Sequence, residues 1–172
     1  FLFVVLIPLA VRAQGGLRDD FEWAETILRP AGGDGRHRVD LHQRVETGPH
    51  TGLSCEQLQV SGSGSTAIYY SYPIQPARVI GELTAGVWLR SDRQGLQLAV
   101  RVVLPHSPHP STGQPLTTLI RGEVYRQVDA WQLVRVGNLP RLVELQVRVL
   151  RSQFGSQVDA REAYIDMLLL NV

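Results

Sequence analysis

Lysine is absent from this 172-residue sequence, and cysteine and methionine occur once each. All 17 basic side chains are therefore arginine; with 16 acidic residues the net charge is +1. Such balance offers no electrostatic attraction to nucleic acid or to an anionic membrane, so neither is expected as a partner. The single Cys55 excludes an intrachain disulfide framework, and its alternating surroundings predict a small buried side chain and not a nucleophile.

The sequence signatures of catalysis are missing as well. No Gly-x-Ser-x-Gly, His-Glu-x-x-His or phosphate-loop pattern occurs. The acidic pairs Glu22 with Glu25 and Asp159 with Glu162 would serve a glycosidase only if two carboxylates faced each other across a cleft, a distance that sequence spacing does not supply. We therefore expect no enzyme within this chain, and an active site built on such carboxylates is the least favoured interpretation.

An apolar run opens the chain. Residues 1–10 read FLFVVLIPLA, too short to span a bilayer as a helix, and small or apolar residues continue to Ala13. This pattern predicts residues 1–13 to be the hydrophobic region and cleavage site of a secretory leader, which implies a secreted, periplasmic or cell-envelope protein with no membrane association beyond export. A first β-strand and an uncleaved anchor are the alternatives.

Most of the remaining chain has the period-two alternation of half-buried strands. In residues 38–46, for example, Val39, Leu41 and Val45 alternate with polar side chains. Glycine- and proline-rich turns separate the apolar segments; residues 31–35 and 106–115 are predicted loops, and Pro73 and Pro76 are expected to end a strand. Strands are predicted over residues 38–46, 53–60, 66–74, 83–90, 96–104, 116–120, 122–128, 131–136 and 163–172.

Residues 139–155 are ambiguous. Alternation from Val143 to Val149 fits a strand, whereas the spacing of Leu139, Leu142 and Leu150 fits one face of a helix. The length, Asn138 as a cap, an early proline and a closing glycine favour the helix. Many short strands with one helix predict an all-β antiparallel sandwich over residues 19–172 with an inserted helix at 139–155, since a parallel sheet would need a helix between most strands. We also expect a closing strand beyond Val172.

The order of these segments resembles the jelly-roll carbohydrate-binding modules attached to bacterial xylanases and cellulases, within the galactose-binding-like superfold. The similarity covers about residues 19–172 through short, weakly specific motifs. Two departures are the inserted helix and Met167, which stands where such modules have a second Asp. The motifs that carry the resemblance are Asp20-Phe21-Glu22, Gly48 to Ser54, Val87-Trp88-Leu89, Ala130-Trp131-Gln132 and Tyr164-Ile165-Asp166.

The resemblance implies a structural calcium ion near the chain entry and the last strand. Asp20, Glu22 and Asp166 are the positions that carry over as its ligands, and calcium prefers such oxygen donors. The alternative is a solvated acidic turn. No other cofactor is expected. His106 and His109 have metal-like spacing, but their proline-rich loop and the lack of a third ligand count against a metal there.

Glycan-binding surfaces combine aromatic faces that stack on sugar rings with planar polar groups. Tyr70 and Tyr72 share one face of an aromatic-rich strand, and Tyr125 and Arg101 are further candidates for ligand binding. Trp88, like Trp131, is expected in the core, because large apolar residues flank both. An aromatic content of 7% is low for a polysaccharide binder.

Together these observations predict a non-catalytic exported binding module. Its partner would be a polysaccharide, or a downstream carbohydrate-active domain of the same protein to which it is accessory. The alternative is a structural or interaction sandwich of a larger cell-envelope protein without a small ligand. An exposed row formed by Tyr70, Tyr72 and Tyr125 would favour the first, and burial of all three would favour the second.

Overall fold

The computed structural model describes residues 2–7, 9–10, 18–19, 21–22, 24–34, 36–62 and 67–172. The strands are β1 (Leu2–Ile7), β2 (Leu9–Ala10), β3 (Arg18–Asp19), β4 (Arg29–Gly33), β5 (His37–Val45), β6 (Cys55–Gly62), β7 (Ile68–Arg78), β8 (Ala85–Ser91), β9 (Gln97–Pro108), β10 (Pro115–Val124), β11 (Gln132–Val136) and β12 (Tyr164–Asn171). The helix described is α1 (Leu139–Phe154). The predicted all-β antiparallel sandwich with one inserted helix is confirmed.

Two five-stranded sheets form the sandwich. The first sheet has the order β11-β8-β1-β6-β5 and the second has the order β10-β9-β12-β7-β4. Every ladder is antiparallel, and β2 pairs with β3 in a small separate ladder. Among the strands of the two large sheets, the β5–β6 and β9–β10 connections stay within one sheet, and the described connections from β6 to β9 cross between the sheets.

Alternating side chains from the facing sheets build one apolar core. Leu58 and Leu89 from the first sheet and Val100 and Ile165 from the second are completely buried in the same cluster. Burying a side chain of this kind stabilises the fold by about 1.5–3 kcal/mol relative to leaving it exposed. The core therefore lies between the sheets, as the alternation predicts.

Helix α1 adds a helical stripe to this core. Leu139, Val143, Val147 and Leu150 are buried, at the spacing of one helix face, so the helical interpretation is confirmed and the strand alternative is wrong. Asn138 does not cap the helix through its side chain; it adopts a left-handed backbone with φ 53°, which asparagine tolerates better than most residues.

The prediction of a loop in the glycine-rich segment 31–35 is partly wrong. Residues Arg29–Gly33 form β4, an edge strand paired with β7. An edge strand needs hydrogen bonds on one side only, and a register shift between Pro30 and Gly32 accommodates the left-handed Gly32 at φ 106°. At Gly33 a Cβ would collide with the Ala67 carbonyl, so this glycine allows a close backbone approach where the sequence predicted irregular structure.

Strands also continue past the prolines at which the sequence predicted that they would end. β7 continues past Pro73 and Pro76 to Arg78, with an irregular register opposite β12, and β9 runs on to Pro108, so the predicted loop at 106–115 is shorter. The predicted strands at 116–120 and 122–128 are a single strand, β10, with a register shift after Arg121. Bulges absorb the prolines and the glycine without ending the ladders.

The predicted leader overlaps the first sheet. Strand β1 lies between β6 and β8 and pairs with both, an arrangement that agrees with the alternative of a first strand. Residues 11–13, where cleavage is predicted, lie outside the described residues. Removal of the leader remains a prediction.

Candidate functional site

The three tyrosines predicted as ligand contacts do not form an exposed row. Tyr70 and Tyr125 have no exposed surface, and Tyr72 is half-buried between the sheets. The Tyr125 hydroxyl accepts the Ser91 backbone N–H at 3.0 Å and donates to the Ala130 carbonyl at 2.7 Å, so it holds a loop in place. The structure thus places the rings of Tyr70 and Tyr125 in the interior, where they cannot stack on a sugar.

Arg101 occupies a different position, on the outer face of the second sheet. From β9 its Nε and Nη2 atoms donate to the two carboxylate oxygens of Asp166 on β12, at 2.8 and 2.7 Å. The side chains keep 36% and 21% of their surface exposed. This hydrogen-bonded pair raises the pKa of the Arg101 guanidinium, chiefly through the bonds to Asp166. The site is a fixed, planar donor–acceptor pair that solvent can reach.

Tyr164 lies beside this pair. Its position in β12 is opposite Val103 on β9, two residues from Arg101. The neighbouring outward positions Ala99 and Val103 carry small, buried side chains. Arg101, Asp166 and Tyr164 therefore have small side chains as neighbours on this face. We call these three residues the outer-face cluster.

The sequence contained part of the signal for this cluster. Tyr164 and Asp166 are two residues apart, as same-face neighbours on a strand are, but a register shift between Ile165 and Met167 complicates the pattern. That Arg101 would pair with Asp166 depends on β9 and β12 being adjacent across 65 residues of sequence. Strand adjacency of this kind has no local signature.

The two predicted calcium ligands that the structure describes, Glu22 and Asp166, bond to protein groups. Glu22 accepts the Leu53 backbone N–H at 2.8 Å, and Asp166 is bonded to Arg101. Asp20 lies outside the described residues. In the described part of the chain, no group of three or more His, Cys, Asp or Glu side chains is arranged to hold a metal ion. The His106 imidazole instead lies 2.7 Å from Glu162.

A buried charged network that was not predicted lies on β5 and β6, at one edge of the first sheet. Glu56 on β6 is completely buried and accepts the backbone N–H groups of Ile27 and Leu28 at 3.0 and 3.1 Å. His42 Nε2 lies 2.6 Å from the same carboxylate, and Arg44 Nη1 lies 3.5 Å away. A buried carboxylate needs such partners, because burial without them is expensive.

This network fastens the segment that precedes β4, which we call the entry loop (residues 21–28). The Arg44 guanidinium donates from Nε to the Glu25 carbonyl at 2.9 Å and sits 5.1 Å from the centre of the Phe21 ring. The Ser54 hydroxyl donates to the Phe21 carbonyl at 2.7 Å. Glu56, His42 and Arg44 therefore act as a structural clamp; the clue in the sequence is a carboxylate at an inward position of β6.

The tryptophans predicted for the core form a smaller cluster with Cys55. Trp88 and Trp131 are half-buried, and the His50 ring stacks on Trp88 with ring centres 3.8 Å apart. Cys55 is completely buried, and burial raises the pKa of its thiol to about 11. A protonated, inaccessible thiol is a poor nucleophile, which agrees with its predicted structural role.

The interior also holds a cavity between the sheets. Its lining is apolar, so it offers no group that would orient a hydroxylated ligand. The lining residues are Phe21, Leu28, Tyr72, Val87, Leu98, Leu168, Leu169 and Leu170. The outer-face cluster combines solvent-accessible donors and acceptors with a half-buried aromatic ring.

No protein-family model matches this chain, and no curated protein or solved structure is significantly similar to it. The resemblance to jelly-roll carbohydrate-binding modules therefore remains a prediction from short motifs. In the described part of the chain, no helix is long and apolar enough to cross a bilayer.

Proposed function

We propose that this chain is an exported, non-catalytic β-sandwich module that binds a glycan through the outer-face cluster. The observation that carries the proposal is the bidentate Arg101–Asp166 pair, which is partly exposed beside Tyr164. In this proposal the module is accessory to a carbohydrate-active domain of the same protein. Its role is then to keep that domain near a polysaccharide.

The chemistry of the pair suits a ligand rich in hydroxyl groups. Two of the five guanidinium N–H groups of Arg101 are used by Asp166, and each carboxylate oxygen keeps a lone pair. Adjacent sugar hydroxyls donate and accept at once, so they can bond to such a pair without breaking it. The Tyr164 ring supplies the apolar face that a pyranose C–H surface prefers.

The test is retention of the full chain on a polysaccharide and glycan array. The unmodified protein is expected to be retained by at least one glycan, and Arg101→Gln and Tyr164→Ala are each expected to weaken retention at least about tenfold, the equivalent of one lost contact of 1.4 kcal/mol. Arg93→Gln, at an exposed loop position, is the matched control and should bind normally. Thermal unfolding confirms that each variant is folded.

Absence of retention on every glycan would contradict the proposal, as would equal retention of Arg101→Gln and the control. A second function, a structural or interaction sandwich without a small ligand, is favoured by one observation. Tyr70 and Tyr125 are fully buried, so two of the three tyrosines predicted as ligand contacts belong to the core. A folded chain that retains no glycan would support this second function.

A further inference from the structure

The first sheet has a position in its centre that one strand must fill. Strand β6 pairs with β5 on one side, and β8 pairs with β11 on one side. Their other edges do not pair with each other; β1 lies between them and bonds to both. Without β1 the sheet would be split into two parts by a gap one strand wide.

The pairing shows how much backbone depends on this occupant. β1 is in register with β6 from Leu2 opposite Val60 to Leu6 opposite Glu56, and with β8 from Val4 opposite Ser91 to Ile7 opposite Trp88. Buried backbone N–H and C=O groups need hydrogen-bond partners, and an unpaired one costs about 1–3 kcal/mol. An empty gap would leave several such groups on each edge unpaired.

The walls of the gap define the chemistry of the segment that fits it. On the core side, Leu58 of β6 and Leu89 of β8 are completely buried. On the outer side, the residues in register with the gap are Gln57 and Gln59 of β6 and Arg90 and Trp88 of β8. A segment that fits the gap therefore needs apolar residues at alternate positions, the ones that face the core. Residues 2–7, LFVVLI, meet this requirement.

The same residues are the predicted hydrophobic region of a leader, so export would remove the central strand. We propose that the gap between β6 and β8 is a strand-acceptor site, which in the exported protein takes an extended peptide segment, apolar at its core-facing positions, from outside residues 14–172. The segment runs antiparallel to both neighbours, as β1 does. Residues 2–7 occupy the place of that segment here. This inference rests on the export part of the proposed function but not on glycan binding.

The first experiment uses the full, unprocessed chain. Val4→Pro combined with Val5→Pro removes one backbone donor on each side of β1, because successive residues of a central strand bond to opposite neighbours. The matched control is Val4→Ile with Val5→Ile, which keeps the donors. The probe is a synthetic peptide of residues 2–7 extended by lysines for solubility, with a version carrying the two prolines as the control peptide.

The proline variant is expected to bind the probe with one-to-one stoichiometry, whereas the isoleucine variant, whose gap is filled, should not bind it. A folded proline variant that ignores the probe, or that binds the proline peptide equally well, would overturn the proposal. If the proline variant does not fold, binding of the probe by the exported and processed protein, described below, decides: one-to-one binding supports the proposal, and a folded processed protein that ignores the probe overturns it.

The second experiment is intact-mass analysis of the chain after export from a bacterial host. Loss of residues 1–13 is expected, and the processed protein should then bind the probe. Retention of residues 2–7 in the exported protein would overturn the strand-acceptor site, because the chain would then fill its own gap. Glycan retention is measured separately with the Arg101 variant. If the sugar-binding proposal fails, probe binding and the mass of the exported chain still test the strand-acceptor site.

Discussion

Substitution of Glu56 by glutamine should remove a large part of the stability of this fold. The Glu56 carboxylate is completely buried, accepts the Ile27 and Leu28 backbone N–H groups at 3.0 and 3.1 Å, and lies 2.6 Å from His42 Nε2. Glutamine keeps one oxygen and replaces the other by a donor. At least one of these partners then loses its acceptor, and Arg44 loses the negative charge that lies 3.5 Å from its Nη1 atom.

The size of the effect can be worked from these contacts. A hydrogen bond to a charged group contributes about 1.5–3 kcal/mol, and removing one partner of a buried ion pair costs about 3–5 kcal/mol. Because the bonds share one carboxylate, their contributions are not summed, and we expect Glu56→Gln to lower the free energy of unfolding by about 3–5 kcal/mol. For a chain of this length that corresponds to a fall in Tm of roughly 6–20 °C.

The assay is urea and thermal unfolding at neutral pH, followed by circular dichroism. Glu46→Gln, at an exposed position just after β5, is the matched control and should change stability by less than about 0.5 kcal/mol. Hydrogen exchange adds a local readout, since the amides of Ile27 and Leu28 should lose protection when the entry loop detaches. The reasoning is refuted if Glu56→Gln and Glu46→Gln have the same stability, or if those two amides are unaffected.

Three further outcomes follow from other contacts. Tyr125→Phe should cost about 1–3 kcal/mol in urea unfolding, because the buried Ser91 N–H loses its acceptor; an unchanged midpoint would contradict this role. Burial raises the pKa of the Cys55 thiol from its ordinary value of 9.0 to about 11, so stability should be lost as pH rises from 9 to 11, by up to about 3 kcal/mol. Cys55→Ala should remove the part of this loss that lies below pH 10, whereas the buried Tyr70 hydroxyl, whose pKa is also raised, contributes above that pH. Gly122→Ala should cost about 1–3 kcal/mol, since a Cβ there would collide with the Arg135 carbonyl; stability within error of the unmodified chain would show that the strands can separate.

The sequence predicted where the strands lie along the chain better than which strands pair with each other. Alternation within each segment marks which residues point inward, and Leu58, Leu89 and Ile165 are buried as that pattern requires. Pairing depends on contacts between distant segments, and no local pattern specifies that β9 lies between β10 and β12. Edge strands were also hard to predict, because β4 needs only one set of ladder bonds and tolerates Gly32 and Gly33.

The candidate site shows the same limit. Arg101 and Asp166 were both recognised as polar candidates, but with separate roles, because only strand adjacency brings their side chains together. Tyr70 and Tyr72 were correctly placed on one face, yet period-two alternation does not say which face is inward. Glu56 was overlooked because the clamp that neutralises it comes from β5 and from the entry loop, 28 residues away in sequence at Leu28.

The clamp and the strand-acceptor gap should be energetically coupled, because both involve β6. Leu6 of β1 is in register with Glu56, so β6 is held by the gap occupant along one edge and by the clamp through its inward side chain. In a double-mutant cycle, Leu6→Pro and Glu56→Gln should give an interaction free energy of about 0.5–3 kcal/mol, whereas Glu56→Gln and Gly122→Ala, on opposite sides of the sandwich, should add to within about 0.5 kcal/mol. Additivity of the first pair in urea unfolding would show that β1 and the clamp hold β6 independently. Coupling would mean that the strand in this position also secures the entry loop.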